Sequence, residues 1–215
     1  MAVLSKKKIL ERLDYPVDDK RSLVVTPLLD SEESFDLDSI DLRLGTHFLL
    51  PRNIQQPFFC PDRHSSSSQH VPMHVPFGDY LVVPAHQTVL GSTLEFIKMP
   101  LDVCGEVLTK SSVARTFTVV ETAPWIHPGY RGCLTLEIAN VSNTPVLLYP
   151  GRSICQLILM RVERPDMAAL PHKKYFGPVH PEAPDFKHPE EDLERIGVPR
   201  DKTWILVRKS AKDRT

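Results

Sequence analysis

Lys110 to Asn140 reads KSSVARTFTVVETAPWIHPGYRGCLTLEIAN, and its second half decides the fold. From Gly132 to Asn140, period-two alternation places Leu134, Leu136 and Ile138 on one face and Cys133, Thr135, Glu137 and Ala139 on the other. That is a strand buried on one side, with an acid, Glu137, turned away from the core. The first half gathers Lys110, Ser111, Ser112 and Arg115, which are the hydroxyl and cationic donors that phosphate oxygens accept from. Each half also has a plainer reading. Exposed strand carboxylates are common, and Ser-Ser beside Lys and Arg occurs in surface turns.

Outward from this stretch the chain keeps the same texture. DYLVVPAHQTVLGSTLEFIKMPLDVCGEVLTKSS precedes it, with short apolar runs punctuated by Pro84, Gly91 and Pro100, and VLLYPGRSICQLILMRVE follows it with a turn at Pro150-Gly151. Further upstream, Ile40, Leu42 and Leu44 alternate with Asp41 and Arg43 before Gly45, a half-buried strand and turn. LVVTPLL, Leu23 to Leu29, reads as an edge strand because Pro27 interrupts it. Ser5 is placed to cap a short helix through about Leu13, with Ile9, Leu10 and Leu13 on its apolar side.

The 20 prolines fall mostly between these runs and work against long helices. The expected class is mainly β, a barrel or jelly roll with a short N-terminal helix and an extended C-terminal arm. Residues 1–165 form the expected β domain and 166–215 the arm, with a short helix near Glu190 to Ile196 and a last strand from Trp204 to Val207. Between strands, Gln55 to Gly78 carries four prolines, three histidines and four consecutive serines without apolar periodicity, so an exposed loop is expected there. His64, His70 and His74 then read as solvated loop histidines rather than metal ligands.

A formal net charge of -1, from 26 basic and 27 acidic residues, gives no basic field for a nucleic-acid backbone. The basic start MAVLSKKKILERLD leads into no signal-peptide core, and no run is long and apolar enough to span a bilayer, so a cytoplasmic protein is expected. Cys60, Cys104, Cys133 and Cys155 form no C-x-x-C pair and read as buried free thiols.

Five ordered motifs, over about residues 39 to 157, make the chain resemble the dCTP deaminase family of the trimeric dUTPase-like superfamily. SIDLRLG resembles the family's S-x-D-L-R-L-G. LVVPAHQTVLGSTLEFIKMPLDVCGEV is similar to its P-x-x-x-x-L-x-S-T-x-E-x-x-x-x-P run. KSSVAR, TAPWIHPGYRGCLTLEIAN and PGRSICQL resemble its phosphate motif, its I-D-P-G to L-E strand and its P-G-x-x-I-x-Q-L turn.

The resemblance implies a homotrimer of distorted β-barrel subunits with active sites between neighbours, acting on dCTP with a magnesium-bound triphosphate. It implies Glu137, Ser111 and Arg115 as catalytic residues. Lys110, Ser112, Ala123, Trp125, Ile126, His127, Tyr130, Gln156 and Lys174 are the implied substrate contacts. Hydrolytic loss of the cytosine amino group needs a water deprotonated for attack at C4 and a proton delivered to the leaving ammonia, and one carboxylate can do both. Burial between subunits would raise its pKa toward that task.

Zinc deaminases instead pair H-x-E with P-C-x-x-C. His180-Pro181-Glu182 and His188-Pro189-Glu190 have no cysteine after them, so no catalytic zinc is expected.

Two positions and one three-residue stretch depart from the pattern. His127 stands where the family has the Asp of I-D-P-G, and Trp125 where many deaminases have Arg; the residues after Arg115 read Thr116-Phe117-Thr118 instead of Leu-Gly-Leu. In the dUTPase branch the missing Asp activates water against the phosphate chain, so dUTP cleavage is not expected. His127 fits both a donor to the site and a packed turn histidine. Alternative readings are a catalytically altered nucleotide-binding or regulatory protein, and a deaminase of another or modified cytosine nucleotide.

Overall fold

Two long antiparallel strands, β7 (Thr88–Lys98) and β11 (Arg131–Asn140), form the spine of the larger sheet. In the computed structural model, residues 2–29, 34–52, 69–121, 125–163 and 177–184 are described. The larger sheet runs β5 (His70–His74), β4 (His47–Pro51), β7, β11 and β9 (Thr118–Glu121), with β2 (Val24–Thr26) also on β7. The second sheet runs β1 (Ala2–Val3), β13 (Ser153–Arg161), β8 (Val103–Thr109) and β10 (Trp125–Ile126), with β3 (Ser39–Arg43) also on β13. A ribbon of β6 (Leu81–Val83) and β12 (Val146–Leu148) completes the strands described.

The sheets meet through one apolar core. Ile40 and Leu42 of β3, Ile97 of β7, Leu136 and Ile138 of β11, and Leu157 and Leu159 of β13 are all fully buried. Leu44 bridges to Thr93, and the Gly45 amide donates to the Ser92 carbonyl at 2.7 Å, so the turn after β3 ties one sheet to the other. A Cβ at Gly105 would lie 2.7 Å from the Leu157 methyl, which lets β8 pack tightly across the core.

Contacts divide the chain into two units, Met1–Arg52 with His70–Glu182, and Asn53–Gln69 with Ala183–Thr215. Nearly everything described belongs to the first, and the expected helix at 190–196 and strand at 204–207 lie outside the described residues.

The mainly β expectation holds, as do the buried alternations of β3 and β11. Helix α1 (Lys6–Leu13) buries Ile9, but Leu10 is exposed, and Ser5 makes no side-chain cap; its carbonyl accepts the Ile9 amide instead. His70 to His74, expected as loop, forms β5 paired along β4. Pro72 is tolerated there because β5 lies at the sheet edge. Cys104, Cys133 and Cys155 are buried free thiols, while Cys60 lies outside the described residues.

Candidate active site

Glu137 stands on the outer face of β11 and is exposed, while its neighbours Leu136 and Ile138 point into the core. The strand is paired on both sides there, Glu137 lying opposite Leu90 of β7 and Glu121 of β9. Its backbone is therefore held from two directions. Cys133, placed outward by alternation, is buried instead. A bulge separates it from Thr135, and the returning segment 177–182 covers this end of the strand: the Cys133 amide donates to Pro178 O at 2.7 Å.

Residues Ser111–Ala114 form a short helix, α2, which the sequence analysis does not assign. Lys110 precedes it in extended conformation, and its carbonyl accepts the Val113 and Ala114 amides at 2.9 Å each. Ser111, Ser112 and Arg115 are exposed at this turn, so two hydroxyls and a guanidinium face solvent together. Lys110 does not. Its ammonium is ion-paired to Asp41 of β3, with both side chains largely shielded.

Gln156 of β13 lies opposite Asp41 on one side and Leu108 of β8 on the other. The PGRSICQL and KSSVAR motifs thus meet on the outer face of the smaller sheet. Arg43, two residues along β3 from Asp41, pairs with the buried Glu95 at 3.3 Å and donates to Ser34 Oγ at 3.2 Å; its amide donates to Glu95 Oε2 at 2.9 Å. Burial pushes the Glu95 carboxyl up, and the Arg43 hydrogen bonds oppose that rise. Sequence reading singled out neither Asp41 nor Glu95 as a partner, although SIDLRLG and STLEF contain them.

The third component is the turn after β10. Ile126 is buried against Gly105, whereas Trp125 and His127 are exposed. Gly129, at φ +79°, closes the turn as its amide donates to Pro100 O. Tyr130, implied as a substrate contact, is committed elsewhere: its half-buried hydroxyl donates to Cys133 O at 2.8 Å, and burial pushes the phenol up. Ala123 and Lys174 lie outside the described residues. Among the described residues no hydrogen bond or ion pair joins Glu137 to the Lys110–Arg115 turn, and no group of three or more His, Cys, Asp or Glu is arranged to hold a metal.

A family model for dCTP deaminase-like proteins matches residues 3–162. The chain belongs to the dCTP deaminase-like family. A relative from Methanobrevibacter smithii named "dCTP deaminase, dUMP-forming" is 33% identical over 85% of this chain and 94% of its own. One from Halorubrum lacusprofundi named "dCTP deaminase" is 34% identical over 76% of this chain and 79% of its own. The solved 2'-deoxycytidine 5'-triphosphate deaminase from Agrobacterium tumefaciens shares the fold, with TM-score 0.56 and 21% identity over 75% of this chain. The match spans 48% of that structure's chain. The two-sheet architecture is therefore a fold that this chain shares with a solved dCTP deaminase. No helix among the described residues is long and apolar enough to cross a membrane.

Proposed function

We propose that this chain hydrolyses the exocyclic C–N bond of dCTP, giving dUTP and ammonia, without zinc. The observation that carries the reading is the exposed Ser111, Ser112 and Arg115 turn, beside Lys110, in a chain whose central strand presents Glu137 outward. Glu137 takes one proton from water as the oxygen attacks C4 and passes it to N3; it then takes the proton of the new C4 hydroxyl and passes it to the amine, which departs as ammonia as the C4 carbonyl forms. The triphosphate lies on the α2 turn, where hydroxyls and the Arg115 fork supply donors.

Trp125, Ile126 and His127 border the base, with Ala123 beside them in sequence; Gln156 and Lys174 complete the substrate contacts. Magnesium arrives with the triphosphate, neutralising phosphate charge, and needs no carboxylate cage of the protein's own. Among the described residues no hydrogen bond or ion pair joins Glu137 to the α2 turn within one chain, and a homotrimer in which neighbours supply the two ends completes the site. The protein works in the cytoplasm, where the substrate is found.

A second reading has a specific observation behind it, since relatives are named dUMP-forming. Forming dUMP requires a further attack of water on the phosphate chain, and the family's acid for that step is His127 here. The experiment separates the readings: purified protein is incubated with dCTP, dCMP or dUTP and magnesium, and the products are resolved chromatographically. Release of dUTP from dCTP supports the first reading, dUMP and pyrophosphate the second, and tight binding of dCTP without turnover a regulatory role. Glu137→Gln lowers kcat by roughly 10²–10⁴-fold with dCTP binding retained; unchanged turnover would remove Glu137 from the chemistry.

A further inference from the structure

Lys110 begins the phosphate turn, yet a lysine on a four-carbon stem is a poorly aimed cation unless something fixes it. Here that group is Asp41, 69 residues earlier in the chain. The two side chains are 28% and 17% exposed, so the pair is sheltered enough to hold one geometry rather than exchange freely with water.

Asp41 is itself anchored from both sides. Its amide donates to Ser34 O at 2.9 Å, its strand neighbour on β13 is Gln156, and two residues along β3 Arg43 is fixed to buried Glu95. An ammonium has three donors. Asp41 engages one and leaves two for another acceptor, and the next two residues of the chain, Ser111 and Ser112, are exposed.

Building on the triphosphate reading above, we infer that Asp41 is a positioning residue: it holds the Lys110 ammonium at the mouth of the α2 turn, so that the loss of lysine freedom is met on folding rather than on binding. The SIDLRLG strand thereby acts on substrate affinity without touching substrate.

The test is a double-mutant cycle on the full chain, with dCTP kinetics for the wild type, Asp41→Ala, Lys110→Ala and the double variant. Since a charge-assisted hydrogen bond is a matter of about tenfold in an equilibrium, Asp41→Ala raises KM about tenfold with kcat within about twofold. The double variant matches Lys110→Ala alone, because Asp41 acts only through Lys110. Multiplicative effects on KM, or an unchanged KM in Asp41→Ala, overturn the inference.

Asp41→Asn, which keeps shape and an acceptor oxygen, moves KM in the same direction by less and serves if the alanine variant folds poorly. A readout independent of substrate is acylation of Lys110 in the ligand-free protein, followed by mass spectrometry. Faster modification in Asp41→Ala supports the pair, and equal rates in the two proteins sink it. Faster modification together with failure of the wild type to bind dCTP would sink the triphosphate reading while leaving the pair standing.

Discussion

Glu95 has 1% of its side chain exposed, and what compensates its charge is Arg43, through one side-chain and one main-chain donor. Removing Arg43 leaves a carboxylate in the core with the amide alone. Arg43→Ala is expected to lower unfolding free energy by about 3–5 kcal/mol, read from the urea midpoint, with Arg43→Lys intermediate because it loses the branch to Ser34. A change below about 1 kcal/mol would mean that Glu95 enters the fold protonated.

At this scale the sequence is legible where a residue's role is local and opaque where it depends on a distant partner. The outward setting of Glu137 follows from alternation alone. Lys110 reads as a free cation until Asp41 is brought beside it by the pairing of β3 and β8 across β13.

Among the elements, the returning segment 177–182 was the least readable, since proline-rich sequence has no period to follow. It docks by main-chain bonds: Gly177 N to Arg131 O at 2.8 Å, Cys133 N to Pro178 O at 2.7 Å, and Glu182 N to Thr135 Oγ1 at 3.1 Å. Gly132 makes this possible, because at φ +142° a Cβ would lie 2.5 Å from Pro178 Cδ. Gly132→Ala should lift the segment and speed hydrogen exchange at the Cys133 amide by roughly tenfold, as expected for loss of one backbone hydrogen bond. Amides of β11 beyond Thr135 keep their protection, and uniform loss along the strand would show that the glycine serves the sheet instead. β5 escaped the sequence for a related reason: its burial is slight, so main-chain pairing and not apolar alternation defines it.

Across the whole molecule, two stretches distant in sequence converge on His47. The His74 ring of β5 lies tilted against it at 4.8 Å between centroids and the His180 ring of the returning segment at 4.0 Å, while Thr46 Oγ1 lies 3.1 Å from His47 Nδ1. Burial first, then the charges of His180 and His74, push the His47 imidazole below its ordinary value. The unfolded chain takes up that proton near pH 6.5, and the folded chain only at lower pH, so acid favours unfolding from about pH 6.5 downward until both states are protonated. Urea midpoints at pH 7.5 and 5.5 should differ more in the wild type than in His47→Asn, and equal pH sensitivity would place the titration elsewhere. The overall architecture was legible because five motifs span about 39–157, and the family model covers 3–162. The histidine cluster was not, because nothing in residues 47, 74 and 180 taken singly distinguishes them from solvated side chains.

Glu137 rides on a strand bonded along both edges, whereas the α2 turn is four residues long and rests on its own carbonyls and β9. On the function proposed above, an acid on a doubly paired strand and a phosphate site on a four-residue turn invite different treatment by anyone reshaping the protein for another nucleotide. Diversity belongs at the exposed Ser111, Ser112, Trp125 and His127, which lie outside the core, while β11 is best inherited unaltered.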